Sequence, residues 1–167
     1  MVKKLTLILW NVRSVYNVGA ILRTAEGLGV ERVVYSGYTP NTDKGLPHER
    51  EKLAEALRKT ALGAEQNVAG EYIVEVVDAI ARLREEGYAI WALEQAENSI
   101  KLGSEECTAL LRGQEKIALI LGEERYGITP EILADVDHVL EIPMAGRKES
   151  FNVSVAAGIA IWELVSE

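Results

Sequence analysis

The chain has 167 residues, 48% of them hydrophobic and 26% charged, which suits one compact soluble domain with a sizeable core and excludes a disordered chain. Its single cysteine, Cys107, rules out an intrachain disulfide, and no apolar run approaches the ~20 residues of a membrane span. The net charge of −8 is uneven: residues 1–60 carry ten Lys/Arg against six Asp/Glu, +4, and residues 61–167 carry eight against twenty, −12, so any basic face is confined to the first third of the fold.

In chain order, "LTLILW" (5–10) is a continuous apolar run that suits a buried strand. Residues 17–28 read as a helix stopped at Gly29, and "RVVYSG" follows as a second strand, giving strand, helix and strand in about thirty residues. "YTPNTDKGLPH" (38–48) is a loop, and "EREKLAEALRK" a charged-faced helix. "EYIVEVV" (71–77) reads as a strand or as the lead-in to the next helix, "DAIARLREEG", with Asp78 as N-cap and Gly87 as stop. "YAIWAL" and the wholly apolar "KIALIL" are strands, the second central; a loop then enters a short helix at Pro130. "HVLEIP" is the last strand, and an apolar helix closes the chain from Phe151 onward. Alternating strands and helices predict an α/β fold with a mostly parallel sheet flanked by helices. No linker or repeat interrupts 1–167, so a single domain without extensions is expected.

Three segments carry candidate chemistry. In "NVGAILRTAEGLG" (17–29), Ile21, Leu22, Ala25 and Leu28 share the core side at 100° per residue, and Arg23 points the opposite way among Gly19, Ala20 and Gly27. Small residues around one arginine permit close approach, although a solvated arginine beside incidental glycines explains the segment equally well. The glycine spacing does not fit a dinucleotide fingerprint, which disfavours a nucleotide-binding oxidoreductase. In "LILGEERYG" (119–127), a central strand ends at Gly122, where open α/β sheets bind ligands; a charged surface loop is the bland alternative. In "ESFNVSVAAGIAIWELV" (149–165), Ser150 is a plausible N-cap, Asn152 is not needed for that cap, and the remaining helix is apolar all round, as if buried on every side. A domain this small needs a subunit interface to cover such a helix. Cys107 is tied to neither His48 nor His138 by any motif, so thiol nucleophilic catalysis is disfavoured, and no metal site is expected.

Together these segments resemble the three motifs of the SpoU/TrmH family of RNA ribose 2′-O-methyltransferases, within the SPOUT superfamily. Asn17 to Ala25 resembles motif 1, Leu121 to Gly127 motif 2, and Ile142 to Met144 with Ser150 to Ala156 motif 3; "KTALGAE" (59–65) resembles a family segment between them. The resemblance spans nearly the whole chain. Phe151 departs from the family's usual Leu or Met.

The resemblance implies a C-terminal trefoil knot, a homodimer formed through the last helix, and S-adenosylmethionine as cofactor, held near Leu93, Gly122, Ile142, Met144, Ser150 and Phe151. It implies methyl transfer to a ribose 2′-hydroxyl with Arg23, Asn17, Glu124 and Asn152 as the catalytic set, Asn17 and Glu124 orienting Arg23 and the ribose. Guanidinium stays protonated, so Arg23 suits a phosphate clamp better than a base. RNA is the expected partner, tRNA ahead of rRNA, with Arg13, Arg32, Lys44, Arg50, Arg58 and Lys59 facing it. A non-catalytic RNA-binding relative is the alternative. A cytoplasmic location without membrane attachment is expected from the lone cysteine and the absence of a targeting segment.

Overall fold

The computed structural model describes residues 4–42 and 46–166. Seven strands form one sheet: β1 (Lys4–Trp10), β2 (Arg32–Ser36), β3 (Ala69–Tyr72), β4 (Ala89–Leu93), β5 (Ile100–Lys101), β6 (Lys116–Leu121) and β7 (His138–Glu141). Their spatial order is β3-β2-β1-β6-β4-β7-β5, and every pairing is parallel. Strand β6, apolar from Ile117 to Leu121, does sit in the middle, between β1 and β4, with Leu9 and Leu93 both in register with Leu121. Parallel strands buried on both faces need continuous apolar sequence, and "LTLILW" and "KIALIL" provide it.

Side chains two apart point to the same face, and this alternation divides the core. Leu5, Leu7 and Leu9 pack with Ile117, Leu119, Leu121 and Trp91 on one side. That side is covered by α1 (Val15–Gly27), α2 (Pro47–Ala61), α3 (Ala64–Asn67), α5 (Glu105–Arg112) and α7 (Val153–Ser166). Ile8, Val34, Ile90, Ala92, Ala118 and Ile120 face the other way, under α4 (Val76–Glu85) and α6 (Pro130–Leu133). The result is a helix–sheet–helix sandwich.

Several boundaries move for local reasons. α1 starts at Val15 because Ser14 caps it, its hydroxyl accepting from the Asn17 N–H at 3.3 Å. α2 starts at Pro47, which occupies the first helical position at no hydrogen-bond cost. The ambiguous 71–77 stretch is both things at once: β3 ends at Tyr72 and α4 begins at Val76. Asp78 is therefore not the N-cap. Glu75 takes that place, and Asp78 lies in the first turn, where its charge faces the positive end of the helix. The short edge strand β5 and the helices α3 and α5 were not read from sequence; α5 carries its own signal in Ser104, whose hydroxyl accepts from the Cys107 N–H at 3.1 Å.

The closing helix corrects two expectations. It begins at Val153, and Asn152 does the capping: its Oδ1 accepts from the Ser154 N–H at 2.9 Å, and its carbonyl takes the Ala156 N–H at 2.9 Å. Ser150 lies in the exposed loop before it. Within one chain the helix is buried on one side. Ala157, Ala160, Ile161 and Leu164 are enclosed, whereas Val155, Ile159 and Trp162 are 49%, 39% and 61% exposed.

Candidate active site

The carboxyl ends of β4, β6 and β7 open into a cavity of about 350 Å³, within the range of small-ligand sites. Its floor is apolar: Leu93 ends β4, Leu121 ends β6, and Ile142, Met144, Phe151 and Val153 come from the segment linking β7 to α7. All six residues expected at a cofactor line it: Leu93, Gly122, Ile142, Met144, Ser150 and Phe151. Five carboxylates, Glu94, Glu123, Glu124, Glu141 and Glu149, share the wall, so the cavity favours a cation over an anion.

The loop after β6 is shaped by contacts within the protein. A side chain at Gly122 would stand 2.6 Å from Ile128 Cγ1 and 2.8 Å from the Gly127 carbonyl carbon, so its missing Cβ makes room for the loop folding back on itself, not only for a ligand. Gly127 has φ +66, and a Cβ there would lie 2.2 Å from Glu94 Oε2. That same Glu94 oxygen accepts the Ile128 N–H at 2.9 Å. Glu94, the first polar residue after β4, thus ties two strand ends together. Sequence reading missed it, although its place directly beyond an apolar strand is a usable signal.

Beside the cavity, three remote segments meet in one hydrogen-bond relay. The Ser154 hydroxyl donates to Asn152 Oδ1 at 2.6 Å, Asn152 Nδ2 donates to Asn17 Oδ1 at 3.2 Å, and Asn17 Nδ2 donates to Glu124 Oε1 at 2.8 Å. An ionised carboxylate only accepts, so Glu124 orients the Asn17 amide, which in turn orients that of Asn152. Glu124 also receives the N–H groups of Arg13 and Ser14 at 3.3 and 3.4 Å. Burial pushes the Glu124 carboxyl up, but the bonds from Asn17 and these backbone groups outweigh it and hold the group below the ordinary glutamate range. Glu124 is therefore charged at neutral pH.

Arg23 does not join this relay. Six residues beyond Asn17 on α1, it is turned about 120° away, exposed, beside Glu26, Leu62, Gln66 and Asn67. Asn17 and Glu124 were expected to orient Arg23; within one chain the partners of Asn17 are Glu124 and Asn152 instead, and Arg23 stands apart from them. Gly19, expected on the Arg23 face, is buried under α2, where a Cβ would lie 2.0 Å from Thr60 Oγ1 and 2.9 Å from the Leu57 carbonyl oxygen.

The expected RNA-facing cations separate likewise. Arg13 stands at the rim, its Nε 3.0 Å from Glu123. Arg50, Arg58 and Lys59 are exposed on α2, Arg50 latching the Thr42 carbonyl at 2.8 Å. Arg32 is at the start of β2, at the end of the sheet opposite the cavity, ion-paired with Glu71 and Glu86, so it is a structural cation away from the cavity. Lys44 lies outside the described residues.

The profile of the SpoU rRNA Methylase family matches residues 4–162. A tRNA (guanosine(18)-2′-O)-methyltransferase of Thermus thermophilus is 29% identical over 159 residues, 95% of this chain and 73% of that protein. A 23S rRNA (guanosine-2′-O-)-methyltransferase of Xylella fastidiosa is 33% identical over 165 residues, 98% of this chain and 59% of that protein. The fold matches the AdoMet-bound rRNA methyltransferase of Sinorhizobium meliloti with a TM-score of 0.79 at 22% identity, over 98% of this chain and 56% of that one.

Proposed function

The chain belongs to the SpoU rRNA Methylase family, and from that premise we propose that it methylates a ribose 2′-hydroxyl of RNA, using S-adenosylmethionine. The observation that carries this reading is the meeting of Asn17 with Glu124 and Asn152, each more than a hundred residues further along the chain, in one relay at the mouth of a cofactor-sized cavity.

The cavity suits the cofactor by its chemistry. Leu93, Ile142, Met144 and Phe151 offer an apolar bed for an adenine, and the surrounding carboxylates favour a sulfonium. S-adenosylmethionine, when bound, supplies a methyl group already activated on cationic sulfur. The protein is left with alignment of the sugar and release of one proton. Glu124, held below the ordinary range, is an acceptor at neutral pH and a weak base, so its task is orientation. Asn17 and Asn152, with their amides fixed, complete the set that positions the ribose. Arg23, always protonated and exposed, serves as a phosphate contact, with Arg13, Arg50, Arg58, Lys59 and Lys44 as further RNA-facing cations.

Three further points belong to this reading. The segment between β7 and α7 is threaded as a trefoil knot; in support, Gln95 Nε2 holds the Glu149 carbonyl at 2.6 Å, keeping that segment against the end of β4. The exposed stripe Val155, Ile159 and Trp162 is the face of a homodimer, because an apolar stripe on a terminal helix calls for cover. The protein works in the cytoplasm, consistent with one buried free cysteine, Cys107; among the described residues no helix is long and apolar enough to cross a membrane. Relatives that act on tRNA and on rRNA both match the chain over nearly its whole length, and of the two we take tRNA as the substrate.

The deciding experiment incubates the purified protein with methyl-labelled cofactor and bulk tRNA or rRNA, then maps 2′-O-methyl groups. Label at a discrete ribose of tRNA is expected; no incorporation into either RNA would overturn the proposal.

A further inference from the structure

If RNA is the substrate, the rim of the cavity sets it an electrostatic problem. Glu94, Glu123, Glu124, Glu141 and Glu149 face the space a substrate must enter, and a phosphate chain laid across them would be repelled. Arg13 at that rim is already paired with Glu123.

The same end of the sheet presents aromatic rings. Tyr38, just after β2, is 78% exposed, and Tyr126, in the loop after β6, is 68% exposed; among the described residues these are the two most exposed large hydrophobic side chains. Neither sits on a loose tether. The Tyr38 N–H donates to Asn11 Oδ1 at 2.9 Å, and Asn11 itself holds a left-handed φ of 58°. Tyr126 precedes Gly127, whose N–H closes on the Glu123 carbonyl at 2.9 Å. The Arg125 guanidinium lies 5.2 Å from the Tyr126 ring centre, forming a broad flat surface. Since β1 runs between β2 and β6, the two rings flank the 11–14 turn that holds Glu124.

We propose that Tyr38 and the Arg125–Tyr126 pair are stacking platforms for unpaired bases on either side of the reacting nucleotide, so that the protein takes a single-stranded RNA segment and not a duplex. This rests on the reading of the chain as an RNA methyltransferase. A base presents a neutral π-face and can lie on a ring beside carboxylates, whereas the bases of a duplex are stacked on one another and offer only phosphates and groove edges. An acidic protein thereby grips RNA by its bases at the site and leaves the phosphates to the outlying cations of α2.

The test measures binding of a fluorescent unstructured oligoribonucleotide, and of the same strand annealed to its complement, at two salt concentrations. Wild type is expected to prefer the unpaired strand. Tyr38→Ala and Tyr126→Ala should each weaken its binding about tenfold, a typical loss for one stacked base. Tyr38→Phe should bind like wild type, and the salt slope should be unchanged in Tyr38→Ala because no phosphate contact is removed. Equal affinity of wild type and both alanine variants would overturn the proposal. So would duplex binding as tight as unpaired, or a Tyr38→Phe loss equal to that of alanine. Tyr38 lies outside the cofactor cavity, so calorimetric titration with S-adenosylmethionine separates the two readings. A wild-type protein that does not bind it sinks the methyltransferase reading, whatever the RNA affinities show.

Discussion

Replacing Glu124 by Gln swaps a carboxylate that only accepts for an amide with one acceptor and one donor. The Asn17 amide and the N–H groups of Arg13 and Ser14 then compete for fewer acceptors, and the order that runs through Asn17 to Asn152 is lost. Misplacing such an alignment set costs on the order of 100-fold in rate. We expect kcat for methyl transfer to fall by that order while the fold persists; single-turnover kinetics check it, and an unchanged kcat would remove Glu124 from the site. Gly127→Ala acts through shape instead. Its Cβ would displace the Glu94 carboxylate that holds the Ile128 N–H, and a left-handed φ costs an alanine about 1–2 kcal/mol. At ~2–4 °C per kcal/mol for a protein of this size, Tm should drop by several degrees, with weaker cofactor binding. Scanning calorimetry that found the variant as stable as wild type would contradict the contact.

At the scale of elements, α7 has two jobs divided around its axis. Ala157, Ala160, Ile161 and Leu164 pack into the core beside α1, and Val155, Ile159 and Trp162 stay exposed, the stripe proposed above as a dimer face. A charge at the most exposed of these should split a dimer without unfolding the chain. Trp162→Glu is expected to sediment as a monomer at concentrations where the wild type is a dimer; a monomeric wild type would refute the assignment. The sequence pattern showed apolar residues in nearly every direction around this helix. It did not show which half meets its own sheet, because that depends on how α7 crosses α1 and β1, not on any property of residues 153–166. Small residues tell the same story: Gly19 looked like room for a ligand and is room for α2.

The whole molecule has a charged belt at the end of the sheet remote from the cavity. Hydrogen bonds from Lys4 and Tyr88 hold Glu31 below the ordinary glutamate value, and Arg32 does the same for Glu86. With Glu124 and Glu131, four carboxyls have folded values depressed below the usual 4.5. Their stabilisation is complete above that value and is lost as pH falls through the lower folded values. Burial and the bond to Glu31 raise the Tyr88 phenol above 10.0, so its contribution is present below that pH and is lost as pH rises through the folded value. Tm should be level from about pH 5 to 9 and decline on both sides. Arg32→Gln should flatten the acid limb, and thermal melts across this range that show no acid decline would refute the linkage.

The α/β class, the central place of "KIALIL" and a ligand site beyond its end at Gly122 were legible in the sequence, whereas the six cavity residues came from the resemblance to family motifs. Period-two burial, apolar continuity and the rule that ligands gather at strand ends are all local signals. Residues 17, 124 and 152 could be matched to family motifs one at a time. Tertiary structure alone decided that Asn17 bonds Asn152, that Arg32 lies at the end of the sheet away from the cavity, and that Glu94 braces the loop at Gly127. Hydrogen bonds and steric exclusion act over about 3 Å, and only the folded chain sets which residues far apart in sequence come within that distance.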